Sequence, residues 1–497
     1  MSVQTERGLA GRTIRGILWN YGSFALSKTV VLVATAILAH LLVPEEFGIV
    51  AVATVAVTFL TVLQDLGLGP ALIQRRGDIG HAANVVFTLN LLLGFALTAV
   101  TFFIAPFVAS YFHEPDATSL LRVLGLTFSI EALGAVHLVR LQRSLRFGRV
   151  FIPDVGRSVV KGALSIGTAV AGAGAWALII GQVGGVIAAV ILSWMVFPWR
   201  PHLEFDRALA GELIGFGLPV FGVDVLFVLA VNLDYVIIGR RLGSEALGIY
   251  TLAYRLPELL VLSLMIVVNR VVFPAFSTMQ GSREGLRRGF LATTRFTLMA
   301  TLPMSVGLAI AADPIVRVML GSEWLDAIPV LRLLAVFVLV ASLLNADGDV
   351  YKAVGRPDIL FKLGLLHLGL LVPGLLIGVR FGLVGVAWGH LVAASVRRFV
   401  RIIIIARYLD IPIRVVVSQW RPASVAGLAL VGGAAAATLL TSGVGPAGSL
   451  VAVAATGAVC YISVLWLVER EGLRALLRAG FSRGGATSSE VDQADSV

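Results

Sequence analysis

The stretch Asp224–Glu258, DVLFVLAVNLDYVIIGRRLGSEALGIYTLAYRLPE, decides how the rest of the chain is read. It is apolar enough to cross a membrane, yet it carries Asp224, Asn232, Asp234, Arg255 and Glu258. Each ionised side chain at bilayer depth costs roughly 2 to 3 kcal/mol even on lenient insertion scales. A chain that keeps several of them needs a water-lined interior for them to face.

Composition points the same way. The chain has 497 residues, 58% hydrophobic and 14% charged, with a mean hydropathy of +0.93. Soluble domains hold about 45–50% apolar and about 25% charged residues, so this is a polytopic membrane protein. At about 20 apolar residues per crossing, about fourteen spans are expected. Their centres lie near Val30, Val57, Phe95, Ser129, Ala163, Ile187, Leu226, Leu262, Ala300, Val336, Leu370, Ala394, Ala434 and Tyr461. The first apolar run, Ile17–Leu42, exceeds the roughly 7 to 15 residues of a signal-peptide core and reads as an uncleaved first helix.

Charge distribution sets the orientation. With the N-terminus inside, alternate loops hold Arg7, Arg12, Arg15; Arg75, Arg76; Arg140, Arg143, Arg146, Arg149; Arg200, Arg207; Arg283, Arg287, Arg288; Lys352, Arg356; Arg407, Arg414, Arg421; and Arg470, Arg474, Arg478, Arg483. The intervening connections, such as VPEEFG, HEPDA and SGVGPAG, are almost free of them. A miscounted helix would invert every later loop, so an even number of spans with both termini cytoplasmic is expected. The same scatter of basic residues over short loops, despite a net charge of +10, argues against a nucleic-acid partner.

The chain also repeats. Glu45 and Phe47-Gly48-Ile49 recur as Glu245 and Leu247-Gly248-Ile249; Gln74 pairs with Gln280, Gly148-Arg149 with Gly355-Arg356, and Ala175-Trp176 with Ala387-Trp388. Collinear pairs at a slowly growing offset imply a duplicated six-helix unit, and an even number of helices makes the repeats parallel. The expected organisation is an N-lobe over 1–200, a C-lobe over 201–409, two further helices over 410–468, and an amphipathic helix with a polar tail over 469–497. The connection Trp199–Ala210 would be the hinge. The expected fold is therefore all-α and polytopic: about 14 transmembrane helices, as two parallel-repeat six-helix lobes around a central cleft plus two C-terminal helices.

Several chemistries are absent from the motifs. There is no phosphate-binding G-x-x-x-x-G-K-[ST] and no H-E-x-x-H. Cys460 is the one cysteine, so no disulfide or thiolate metal site is available. Short loops leave no room for a soluble catalytic module. Gly181 and Gly185 form a G-x-x-x-G, a weak packing signal in a chain with 53 glycines. No catalytic residues, metal site or resident cofactor are expected; a coupling proton or sodium ion is the one exception.

What remains is the set of ionisable groups inside helices. Residues near span ends, such as Asp65, Arg270, Arg295, Lys362, Arg397, Arg398 and Arg401, can extend to the headgroups. Lys28, Glu131, Lys161, Asp224 and Arg255 lie too deep for that. Two readings stand for them: internal ion pairs that lock helices, or the lining of a substrate cavity. Arg255 and Glu258, three apart, can satisfy each other. Arg157 and Lys161, four apart with the same sign, cannot, and need an anion from another helix or from a cargo. Lys28, Lys161 and Arg255 are the candidate anion-binding residues, and phosphate or pyrophosphate suits guanidinium geometry. Glu131, Asp224 and Glu258 are candidates for coupling or for cavity lining.

The patterns N-L-D-Y-V-I-I-G-R-R-L-G from Asn232 and L-G-I-Y-T-L-A-Y-R-L from Leu247 resemble the polysaccharide transporter branch, of Wzx type, of the multidrug/oligosaccharidyl-lipid/polysaccharide exporter superfamily. The resemblance covers roughly residues 10–470. It implies a flippase carrying an undecaprenyl-pyrophosphate-linked oligosaccharide across a bacterial plasma membrane by alternating access, for lipopolysaccharide or exopolysaccharide synthesis. Lipid-linked oligosaccharide, membrane lipids and polysaccharide assembly proteins are the implied partners. Arg255 aligns with an arginine in the eighth helix of related lipid II flippases, and Lys28 loosely with their cationic first helix. The first helix here lacks their Arg-Asp pair, which separates this chain from lipid II itself. Two alternatives stay open: a multidrug exporter of the same superfamily, which would prefer acidic groups without a basic cluster, and a membrane polysaccharide polymerase or ligase, which would need a large outer loop.

Overall fold

The structure, a computed structural model, describes residues 25–75, 78–144, 146–441 and 443–470, with the isolated positions 22 and 474. These residues form helices and no strand. In chain order the helices are α1 (Ala25–Leu41), α2 (Pro44–Asp65), α3 (Leu68–Gln74), α4 (Ile79–Phe112), α5 (Ala117–Arg143), α6 (Phe147–Val170), α7 (Ala175–Val196) and α8 (Arg207–Pro257). A π-helical turn at Glu258–Leu262 leads into α9 (Ser263–Thr278), followed by α10 (Arg283–Ile310), α11 (Ala312–Ile315), α12 (Ala327–Ser342), α13 (Asp347–Ala353) and α14 (Pro357–Gly378). The last four are α15 (Gly382–Leu409), α16 (Ile413–Ser418), α17 (Arg421–Leu440) and α18 (Pro446–Val468).

Every expected span centre falls on one of these helical segments. Among the described residues nine helices are long and apolar enough to cross a membrane, or ten if α10 and the segment Ala312–Leu320, bent by 74°, form one span. The count differs from about fourteen for identifiable reasons. Two of the nine are helical stretches of 51 and 53 residues, Val228–Thr278 and Pro357–Leu409, each longer than one crossing and each interrupted at a glycine, Gly243 and Gly382. Helix α1 is short where described, and α6 carries Arg149, Asp154, Arg157 and Lys161. Apart from Glu469, Arg470 and Arg474, the expected amphipathic segment and polar tail lie outside the described residues, as do the arginines at positions 7, 12 and 15.

The chain divides into two compact units. The first comprises Met1–Leu259, Met319–Val330 and Gly364–Ala393. Its helices approach through glycine, as expected where lipid offers no hydrophobic drive and close backbone packing must supply the attraction. A Cβ on Gly48 would overlap the carbonyl of Ser244, and one on Gly248 would overlap the carbonyl of Pro44. These are one contact seen twice, at the sequence offset of 200 that marks the repeat. The break in α8 is at Gly243 (φ +88°), which glycine alone adopts at ease; Gly248 is a helical packing position. Helix α7 approaches α6 at Gly181 and Gly185, where side chains would strike Ser165 and the backbone of Lys161 and Arg157. Trp324 is fully buried, donates from Nε1 to the Ala39 carbonyl (2.9 Å) and meets Phe47 edge-on.

The connection between α7 and α8 is fastened along its length. The guanidinium of Arg140 lies over the rings of Phe197 (5.1 Å) and Trp199 (4.8 Å). Glu204 accepts hydrogen bonds from His81 Nδ1 and Asn84 Nδ2, both at 2.8 Å, and these partners hold its carboxyl below the usual carboxylate range. Asp206 caps α8, accepting from the N–H groups of Ala208 and Leu209.

The second unit comprises Leu260–Val318, Leu331–Leu363 and Ala394–Val497. Its polar centre is Asp347, fully buried and gripped by the Arg401 guanidinium. Asn269 and Asn345 bond nearby, and the hydroxyls of Thr301 and Ser342 meet at 2.8 Å. The two late Gly/Ala-rich helices, α17 and α18, pack on α10: Tyr461 donates to the Met299 carbonyl (2.8 Å), and Leu302 lies where a side chain on Gly427 would go. Their outer faces carry exposed Leu428, Leu439 and Leu467, as a lipid-facing surface should.

Because the atoms in the way are backbone, Gly48→Ala and Gly248→Ala have no rotamer to escape into. Each is expected to cost about 1–3 kcal/mol by overpacking and to lower the apparent melting temperature of the detergent-solubilised protein. Wild-type melting for both variants would show that the crossing does not constrain the fold.

Candidate functional site

Three of the charged residues that lie too deep to reach the headgroups, Glu131, Lys161 and Arg255, line one cavity. It has a volume of about 570 Å³, lies wholly within the first unit, and is lined from α1, α2, α5, α6, α7 and α8. Arg157 and Lys161 enter from adjacent turns of α6, Arg255 from the end of α8, Glu131 from α5 and Glu258 from the start of the π turn. Single π turns recur at functional sites because the extra residue re-aims the side chains around it.

The geometry answers the question raised by the Arg157–Lys161 spacing. Arg157 Nη2 donates to Glu131 Oε1 at 2.7 Å, so one of the two cations takes its anion from another helix. Arg255 Nη1 donates to Glu258 Oε2 at 3.3 Å along the chain. Lys161 Nζ instead donates to the neutral Gln182 Oε1 on α7 (2.5 Å) and pairs with no carboxylate among the described residues. Among the described residues the lining therefore holds three cations against two carboxylates, with Arg157 and Arg255 both within electrostatic range of Lys161. Opposite charges 4 Å apart attract by about 4 kcal/mol at an effective dielectric constant near 20. An anion in this cavity meets such attraction from a lysine whose charge is not already neutralised.

Of the anticipated residues, Lys161, Arg255, Glu131 and Glu258 share the cavity. Lys28 is half-buried on α1 and interacts electrostatically with Glu258 and Arg255, but it does not line the cavity itself. Asp224 lies outside the described side chains. Arg122, also within a helix, sits over the Phe102 ring and donates to its carbonyl, away from the lining.

Asp234 is buried in the first unit. It is 2% exposed and accepts from Tyr250 Oη at 2.6 Å and from His390 Nε2 at 3.1 Å, beneath the Tyr235 and Tyr254 rings that face the cavity. The hidden signal was spacing: Asp234 and Tyr250 lie on either side of the Gly243 break, which folds them together. Gln182 was also unforeseen, although it stands inside the Gly181–Gly185 motif that presses α7 onto α6.

Known proteins resemble this chain in sequence and in fold. The chain matches the family described as polysaccharide biosynthesis protein over residues 37–329. It is 29% identical to the teichuronic acid biosynthesis protein TuaB of Bacillus subtilis over 70% of this chain and 72% of that protein. With the lipopolysaccharide biosynthesis protein WzxC of Escherichia coli it shares 27% identity over 77% of this chain and 78% of the relative. The succinoglycan biosynthesis transport protein ExoT of Rhizobium meliloti is 29% identical over 70% and 71%. Among solved structures, the lipid II flippase MurJ in an inward closed conformation superposes with a TM-score of 0.74 at 15% identity, covering 93% of this chain and 100% of that one. An inward-facing multidrug resistance transporter of the MATE family follows at 0.58, 20% identity, 78% and 95%. These two likenesses establish the polytopic helical fold.

Removing one donor from a buried carboxylate leaves a desolvated lone pair, at a cost of about 1–3 kcal/mol. Tyr250→Phe is therefore expected to lower the apparent melting temperature while preserving the ring packing against Tyr254. An unshifted melting curve would show that the Asp234 bond contributes nothing to stability.

Proposed function

Since the chain belongs to the polysaccharide biosynthesis protein family, we propose that this multi-pass membrane protein flips an undecaprenyl-pyrophosphate-linked oligosaccharide from the inner to the outer leaflet of a bacterial plasma membrane. The observation that carries the proposal is Lys161, held by a neutral amide between Arg157 and Arg255 in the cavity lining. Such a site suits a pyrophosphate, which accepts from guanidinium and ammonium donors at once. The names of WzxC, ExoT and TuaB, all proteins of polysaccharide assembly, support the same class of cargo. A basic cavity disfavours the cationic compounds expected of a multidrug exporter.

In this reading Lys161 and Arg255 hold the pyrophosphate, with Lys28 adding positive potential nearby, while the polyprenyl tail stays in the lipid. The six-helix lobes expected from the repeat, 1–200 and 201–409, are the bodies proposed to alternate, with both termini cytoplasmic. The chain is fastened as far as Asp206, so bending belongs after that residue rather than across the whole of Trp199–Ala210. Glu131, Glu258 and Asp224 are the candidates to bind a coupling proton or sodium ion. The membrane potential, worth about 2.3 kcal/mol per charge per 100 mV, also favours outward movement of an anion.

In a host whose own exporter is deleted, Arg255→Ala and Lys161→Ala are expected to insert normally and to abolish export, leaving complete lipid-linked repeat units on the cytoplasmic side. A fully active Arg255→Ala overturns the site. Single repeat units collecting on the outer face would point to a polymerase instead.

A further inference from the structure

The cavity has a second chemistry that pyrophosphate does not use. Thr54, Thr58 and Thr61 of α2 follow one another at helical spacing, so one face of about 10 Å presents three hydroxyls, and all three line the cavity. Thr54 and Thr61 are exposed and Thr58 is half-buried, so the face is open to an occupant. Thr35, Thr127 and Thr251 bring further hydroxyls from α1, α5 and α8.

The protons of these hydroxyls are largely committed. Thr58 Oγ1 donates to the Thr54 carbonyl (2.8 Å), Thr61 to Val57 (2.9 Å), Thr127 to Leu124 (2.6 Å) and Thr251 to Leu247 (2.7 Å). A hydroxyl has one proton and two lone pairs, so each of these four is left as an acceptor. Such a wall repels phosphate oxygens and suits a neutral group rich in O–H donors. Ser165, one turn beyond Lys161 on the same lining, is 1% exposed and its hydroxyl has no partner among the described residues. That is a second polar group on this lining whose bonding is unfinished.

We propose that the threonine face of α2 binds the sugar directly attached to the pyrophosphate, with Thr58 and Thr61 accepting hydrogen bonds from its hydroxyls and Thr54 adding a hydroxyl that can accept or donate. The proposal rests on the pyrophosphate reading above and extends it: cations orient the anion, and the acceptor wall distinguishes a glycosylated lipid from a bare one. A cavity of about 570 Å³ falls within the roughly 300–1,000 Å³ of small-ligand sites, so the proposal concerns that first sugar alone.

The test measures binding by the full-length protein in nanodiscs of two probes, undecaprenyl pyrophosphate and undecaprenyl-pyrophosphoryl-glucose. Wild type is expected to bind the glucosylated probe more tightly by on the order of tenfold, as a few net hydrogen bonds supply. The triple variant Thr54→Val, Thr58→Val, Thr61→Val keeps shape and removes the hydroxyls; it should lose that preference and keep its affinity for the bare lipid. The triple serine variant should retain the preference, and Lys161→Ala should weaken both probes. Equal wild-type affinities, or a valine variant that keeps the preference, overturn the sugar site and leave the pyrophosphate reading standing. Wild type binding neither probe overturns both.

Discussion

Charge at hydrocarbon depth is the constraint on which the first unit depends. A carboxylate or guanidinium there must meet an opposite charge, a dipole or a water-filled space, since lipid offers none of these. The unit uses all three. Glu131 neutralises Arg157 across helices, Glu258 neutralises Arg255 along the chain, Gln182 gives Lys161 a dipole, and the cavity takes what remains. The glycines follow from this arrangement. Gln182 reaches Lys161 because Gly181 and Gly185 bring α7 against the very turns of α6 that carry the two cations.

The two units handle buried charge in different ways. In the second, Asp347 and Arg401 close on each other with Asp347 fully shielded, an arrangement that joins α13 to α15. Burying a matched pair fixes geometry more than it adds stability. In the first, the pairing is left one carboxylate short, and the space beside it stays open.

Much of this was legible in the sequence, for physical reasons. Bilayer thickness sets a ruler, so every expected span centre landed on a helix; breaks are set by single residues such as Gly243 and Gly382, so the number of separate crossings was not. Lys161 and Arg255 stood out because a charge in an apolar run is visible without any fold. The same-sign spacing of Arg157 and Lys161 announced a missing anion, and Glu131 supplied part of it. The role of Asp234 was not legible because its burial is set by tertiary contacts with Tyr250 and His390, the latter 156 residues away. The threonines of α2 went unremarked because in a hydrophobic helix threonine reads as an ordinary neutral residue until its neighbours show what its hydroxyl faces.

The crossing of α2 and α8 carries a mechanical consequence. At Gly48 and Gly248 each helix rests its backbone directly on a carbonyl of the other. Side chains interlocked between helices resist turning, since each must leave its rotamer well before the helices can move. Bare backbone on bare backbone has no such teeth. The contact is a plain bearing: tight enough to fix where the two helices touch, and free of side-chain teeth at that point.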